Sequence, residues 1–218
     1  MISFNIIPVG SYCVNCVVAS LGGRCIVVDP GQDADAIKGV IGKHGLKPIA
    51  AVLTHGHFDH IGGVPGLLAA YPGLPVYAHP SDWPMLGHPM NQMPPDYPSV
   101  PRPDGLRDVR EIAGDFAEFG IRVLETPGHT PGSVCLLTGD HLLSGDTLFA
   151  GSCGRTDFPG GSMASMRRSL ASLARLPPKT QVIPGHGPTT TIGQEVSSNP
   201  FMAWYRWKAS LSVRPQAW

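Results

Sequence analysis

The sequence predicts an α/β protein in which two sheet-plus-helix layers pack face to face with their helices outside. Three observations carry this expectation. Strand-like runs precede helix-like runs in both halves of the chain, no linker divides the 218 residues, and a hydrophobic content of 42% supplies apolar surface for one large core. The halves share this grammar without any close internal repeat.

The first half reads as strands at 2–9, 13–20 and 24–29, the last closing at Asp29-Pro30-Gly31, a turn signal that cannot continue a sheet. A helix is expected over 33–44. The run PIAAVLTH has strand length and delivers its polar end at His55, and a helix-like stretch follows over 62–71. Ligands gather at the carboxyl ends of strands in such units. Residues 80–105 hold eight prolines and three of the seven methionines, so they can form neither a regular helix nor a central strand. A connection this long serves as an active-site wall or a surface crossing. The second half predicts strands near 116–126, 133–138 and 141–145, a helix near 162–175, and a short strand at TQVIP.

Composition removes whole classes of function. Lys+Arg 16 balance Asp+Glu 16, and no basic run is present to neutralise a line of phosphates, so no nucleic-acid partner is expected. No stretch of about 18 apolar residues and no basic leader occurs, which predicts no membrane partner and a cytoplasmic protein. Five cysteines are too sparse for a disulfide scaffold and suit a reducing compartment. Cys13 and Cys16 form a C-x-x-C within a strand-like run and lack a second pair, so both read as buried structural residues.

What stands out is histidine. THGHFDHIGG packs His55, His57, Asp59 and His60 into six positions directly after a predicted strand. Three imidazoles and a carboxylate cannot all face one core. In an extended or turning loop alternate residues point the same way, so His55 and His57 can share one ion while Asp59 and His60 turn towards another. Three later turn-rich segments each add a ligand type after a strand-like run: His129 in TPGHTPGS, Asp146 in LLSGDTLF and His186 in IPGHGPTTT. Neighbouring glycines allow sharp turns and close approach. Imidazole plus carboxylate suits zinc, with iron or manganese as alternatives, and a bridging Asp146 would hold two divalent ions. Water held between two such ions attacks as hydroxide without any protein nucleophile, which makes hydrolysis of an activated acyl compound the natural chemistry. No G-x-S-x-G elbow offers a serine alternative.

These motifs, with SGDTLFAGSCGRTDFPGG and PGHGPTTTIGQEVSSNPF in order and spacing, resemble the metallo-β-lactamase superfamily along essentially the whole chain, and within it the short bacterial glyoxalase II-like hydrolases. The resemblance implies a four-layer αββα sandwich of two mixed sheets in a single domain, 1–218, and a dinuclear site. Position by position it assigns His55, His57 and His129 to one ion, Asp59, His60 and His186 to the second, and Asp146 to the bridge. Asp59 and Asp146 become the catalytic carboxylates, and Arg155 in CGRTDF could meet an anionic group of the substrate. Arg155 as an ion-pair partner of Asp157 is the plain alternative.

The implied substrate is a small-molecule thioester, S-lactoylglutathione or a related hydroxyacyl thioester. True metallo-β-lactamases carry other residues where this chain has His60 and Asp146, which argues against antibiotics. Full-length glyoxalase II enzymes carry a C-terminal helical extension that supplies much of the glutathione site, and this chain, ending at Trp218, lacks it. The rival within the fold is a persulfide dioxygenase, with one ferrous ion on His55, His129 and Asp146. A non-enzymatic descendant should have lost ligands, and all seven are present. His44, His79, His88 and His141 read as loop or surface residues. Asp29 could steady a ligating imidazole. The tail, with Phe201, Trp204, Tyr205, Trp207 and Trp218 beside Arg206, Lys208 and Arg214, could pack on its own domain, form an oligomer interface or wall the site.

Overall fold

The computed structural model describes residues 1–91 and 100–203. The first sheet runs in the order β1 (Ser3–Val9), β2 (Val14–Leu21), β3 (Arg24–Val28), β4 (Lys47–Val52), β5 (Val76–Ala78) and β6 (Arg107–Asp108). Its first three strands pair antiparallel and its last four parallel; α1 (Ala34–Lys43) crosses from β3 to β4, α2 (Phe58–Ile61) and α3 (Val64–Ala70) from β4 to β5, and the long proline-rich connection from β5 to β6, where a tight hairpin could not. After α4 (Ile112–Asp115) the chain enters the second sheet with β7 (Arg122–Glu125), β8 (Val134–Thr138) and β9 (His141–Gly145). A small hairpin, β10 (Leu148–Phe149) and β11 (Ser152–Cys153), leads to α5 (Met163–Leu173). Then come β12 (Gln181–Pro184), β13 (Thr190–Thr191) and α6 (Ile192–Ser198), giving the sheet order β13-β12-β9-β8-β7. Both sheets are mixed, since β12 pairs parallel with β9 while its other neighbour is antiparallel.

Alternation along the strands builds the layers. Val17, Ile26, Val28, Ala50 and Val52 point inward from the first sheet and meet Val134, Leu136, Leu143 and Ile183 of the second in one buried cluster. Their neighbours Val18, Cys25, Val27, Ala51 and Leu53 point outward and are covered by Ile37 and Ile41 of α1 and Val64 and Leu67 of α3. On the far side Cys135, Leu142 and Val182 are covered by Met166, Leu170 and Leu173 of α5 and Ile192 of α6. With the side-chain period at two, each strand feeds both cores, and the result is the four-layer αββα sandwich.

Several boundaries differ from the sequence reading. The strand expected from 116 begins only at Arg122, because Ala117–Phe119 form a 3-10 turn closed by Gly120 at φ 57, and the turn itself buries Phe119. Of the C-x-x-C pair Cys16 is buried, but Cys13 is exposed in the β1–β2 turn at φ 51, so only half of that expectation holds. All five cysteines are free thiols. Among the described residues no helix is long and apolar enough to cross a membrane. The tail from Trp204 to Trp218 lies outside the described residues; Phe201, at its start, is exposed.

Candidate metal centre

Strand direction brings the candidate ligands to one rim. β3 and β4 run parallel and end at Asp29 and at Thr54-His55; β7, β9 and β12 share a direction and end near His129, Asp146 and His186. The two sheets are stitched together at this rim. The Val134 amide donates to Thr54 O at 2.8 Å, and Asn15 at the start of β2 donates through its amide to Gly185 O at 2.7 Å and through Nδ2 to Pro184 O at 2.9 Å.

All seven predicted ligands converge here. Ring nitrogens and carboxylate oxygens of His55, His57 and His129 lie within 4.8 Å of one another, as do those of Asp59, His60 and His186. Asp146 stands between the two groups, with Oδ1 3.4 Å from His60 Nε2 and Oδ2 3.5 Å from His129 Nε2 and 3.7 Å from His186 Nε2. The loop is less extended than alternation predicts: after His57 the chain winds into the single turn of α2, and that turn swings Asp59 and His60 inward.

Hydrogen bonds on the far side of each ring show what the near side offers. A carbonyl can only accept, so His129 donates its Nδ1–H to Arg155 O at 2.7 Å and His186 donates its own to Tyr12 O at 3.0 Å. In the neutral ring each Nε2 is then a bare lone pair facing inward. Thr54 Oγ1 donates to Asp29 Oδ2 at 2.6 Å and can accept from His55 Nδ1 at 3.1 Å, which leaves His55 Nε2 buried without a partner. His60 donates Nδ1–H to Asp29 Oδ2 at 3.0 Å and presents Nε2. His57 presents Nδ1, only 2.7 Å from His129 Nε2. Asp146 Oδ1 is likewise buried without a hydrogen-bond partner. Lone pairs crowded this way, with buried acceptors orphaned, fit divalent cations and would be costly without positive charge among them.

The titration of the cluster carries the same signature. Burial and the neighbouring imidazoles hold His55 well below the usual histidine range and push His57 down to about 3, so both are neutral. Burial opposes charge on His60 and His186 too, but there the carboxylates prevail: Asp146 and Asp29 raise His60 well above its ordinary value, and Asp59 and Asp146 raise His186. Asp146 is drawn down to about 2 because His60, His129 and His186 outweigh its burial. The carboxylates that favour positive charge at His60 and His186 would favour a cation there as well.

Asp29, at φ 48 in the turn after β3, also accepts a hydrogen bond from a candidate ligand. Oδ1 accepts the Thr54 amide at 2.7 Å while Oδ2 receives Thr54 Oγ1 and His60, so its oxygens are committed although it also lies near His55 and His60 in the ligand cluster. Asp29→Asn is expected to weaken the ion held by Asp59, His60 and His186 ten- to a hundredfold, roughly the loss seen when a ligand's supporting hydrogen bond is removed. Competition with a chromophoric chelator measures this, and an unchanged affinity would remove the orienting role.

Sequence reasoning missed Asp82, a buried carboxylate in the proline-rich connection. Its Oδ2 accepts the Gly56 amide at 3.0 Å and Thr130 Oγ1 at 2.7 Å, and its Oδ1 accepts the Gly132 amide at 2.6 Å. It therefore clamps the loop bearing His55 and His57 to the loop bearing His129. No motif marks it, since its partners, two backbone amides and the Thr130 hydroxyl, are distant in sequence. In the same connection Asn91 Nδ2 donates to Gly56 O at 2.7 Å, so the described part of this segment walls the centre; residues 92–99 lie outside the described residues. Arg155 is paired through two 2.7 Å contacts with Asp157, and its guanidinium lies 3.9 Å over the Phe158 ring. Its carbonyl, rather than its charge, is what touches a candidate ligand. Of the four remaining histidines, His79 is buried and caps the 3-10 turn of Pro80–Met85 by accepting the Ser81 amide, and His141 stacks on Phe4 at 4.5 Å.

The family model of the metallo-beta-lactamase superfamily matches residues 12–186. A protein of Bacillus subtilis named a probable metallo-hydrolase, YqgX, is 34% identical over 210 residues, 89% of this chain and 95% of its own length. The hydroxyacylglutathione hydrolase of Alkalilimnicola ehrlichii is 41% identical over 160 residues; these are 73% of this chain and 55% of that protein. Among solved structures, BLEG-1, described as a B3 metallo-beta-lactamase, is 34% identical with a TM-score of 0.82, covering 92% of this chain and all of its own. TTHA1623 in a di-iron-bound form is 38% identical with a TM-score of 0.79, over 90% of this chain and 99% of its own. ETHE1 from Myxococcus xanthus, at 24% identity and a TM-score of 0.70 over 98% and 92%, shares the fold.

Proposed function

The chain belongs to the metallo-β-lactamase superfamily, and from that footing we propose that it is a thioester hydrolase using two divalent metal ions, zinc or iron, at the seven-ligand centre. The observation that carries the reading is the inward set of lone pairs: five imidazoles, each with one nitrogen facing the centre, around two carboxylates. In the proposed assignment His55, His57 and His129 hold one ion, Asp59, His60 and His186 the other, and Asp146 lies between them. Bound there, the ions supply a water of lowered pKa and polarise the carbonyl. Asp59 and Asp146 would be the carboxylates placed to take that water's proton as its oxygen bonds to the acyl carbon; the C–S bond would then break, giving a carboxylic acid and a thiol that leaves with the proton. The di-iron neighbour supports a paired site, and the hydroxyacylglutathione hydrolase supports a thioester.

A second reading, β-lactam hydrolysis, is favoured by the full-length likeness to BLEG-1. That likeness weakens the argument against antibiotics from His60 and Asp146. The deciding experiment incubates the metal-loaded protein anaerobically with S-lactoylglutathione, a simple acyl thioester and a cephalosporin, before and after chelation. Thiol release that chelation abolishes and metal restores is the expected result. Cephalosporin opening without thiol release would replace the proposal with the second reading. Oxygen consumption with glutathione persulfide, in the absence of hydrolysis, would move the chain to the dioxygenases.

A further inference from the structure

Beside His57 the surface sinks into a hollow of about 280 Å³ lined by Phe58, Pro84, Met85, Phe158 and Pro159, with His88 and Asn91 as the polar residues of its wall. Three elements build it: the turn of α2, the 3-10 turn of Pro80–Met85, and the segment after β11. These walls are anchored. Phe158 packs edge-on against His57 with ring centroids 5.3 Å apart, and Asn91 ties the backbone of Met85 to that of Gly56 through Nδ2, donating to Met85 O at 3.2 Å and to Gly56 O at 2.7 Å.

Arg155 lies over the ring of Phe158, with both arms of its fork on Asp157. Among the described residues the wall offers no lysine or arginine to meet the two carboxylates of a tripeptide thiol, whereas an alkyl or aryl group would exchange water for aromatic, proline and thioether surface. Pockets that fix a ligand in this way are mostly apolar, with few polar groups at one end, and here the polar end is the histidine cluster.

We infer that the hollow beside His57 receives an uncharged aliphatic or aromatic group of the substrate, so that the thioester is an apolar one rather than a hydroxyacyl-glutathione. This rests on the thioesterase reading and narrows it. The apolar group can belong to the acyl half or to the thiol half, and two substrate series separate these sources. One series keeps N-acetylcysteamine as the thiol and lengthens the acyl group from acetyl to hexanoyl; the other keeps acetyl and lengthens an alkyl thiol.

The expected result is a rise in kcat/KM of roughly threefold per added methylene, on the order of a hundredfold across one series, with S-lactoylglutathione below the hexanoyl ester. Met85→Glu should cut the hexanoyl rate more than the acetyl rate. Binding gives a reading independent of turnover. Analogues with the ester sulfur replaced by methylene, titrated calorimetrically into the metal-free protein, should tighten with chain length by the same factor. Hydrolysis that is flat across both series, or fastest with S-lactoylglutathione, overturns the apolar hollow and leaves the thioesterase intact. Graded analogue binding with no thioester hydrolysed by the metal-loaded protein keeps the hollow and removes the thioesterase. Neither grading nor hydrolysis removes both.

Discussion

If the parent protein holds two divalent ions as proposed, His60→Ala is expected to bind one per chain and to lower kcat for thioester hydrolysis on the order of a thousandfold. The size follows from removing a metal-supplied stabilisation of about 4 kcal/mol from the barrier. His60 is fully buried, and its Nε2 lies 3.3 Å from His186 Nε2 and 3.9 Å from Asp59 Oδ2, so its loss takes away the central member of one ligand group. Asp29 keeps both Thr54 donors, and the rim should still fold. Metal analysis after gel filtration, with circular dichroism to verify the fold, reads the outcome. Two ions with full turnover would defeat the dinuclear mechanism. Near-normal activity towards a persulfide, with one iron retained, would favour the mononuclear alternative on His55, His129 and Asp146.

Asp82→Ala should destabilise the protein by roughly 3–5 kcal/mol, because three buried donors, the Gly56 and Gly132 amides and the Thr130 hydroxyl, lose their acceptor together. For a chain of this length that is a fall in melting temperature of about 10 °C. A purely structural loss would stop there. Because Asp82 joins the His55–His57 loop to the His129 loop, the affinity of the ion on those three histidines should also drop ten- to a hundredfold in protein still folded well below its melting point. Asp82→Asn retains one oxygen but turns an amide towards a second amide, and should fall between the two. Differential scanning calorimetry and chelator competition separate the effects, and an unshifted melting point in Asp82→Ala would remove the clamp altogether.

The layers and the ligand cluster were legible in the sequence because each has a local signature. The near-continuous apolar runs in VNCVVASL and in the β3 strand RCIVV mark strands with two covered faces, and the histidines crowd into short turn-rich segments after such runs. The short elements were not. α2 is a single turn whose residues serve the centre rather than a core, so it carries no helical apolar stripe. Phe116 and Phe119 look like strand residues but fill the core from a turn. Asp82 was invisible for a different reason: its role is fixed by Gly56, Thr130 and Gly132, which tertiary folding brings to it. The pairing of Arg155 with Asp157 was legible because the two stand two positions apart, and the fork is held there.

Gly185 follows β12 and its amide donates to Gly145 O at 2.9 Å, which presses the two loops of the second sheet together. A Cβ there would overlap Asp146 Oδ1 and come within 2.7 Å of His60 Cε1. The residue offers no donor atom to an ion, yet every side chain larger than hydrogen displaces two groups that do. A saturation screen for function would therefore rank Gly185 with the histidines themselves. Intolerance to substitution around this centre reports the space the ligands need as much as the ligands, and a genetic map alone would overcount coordinating positions.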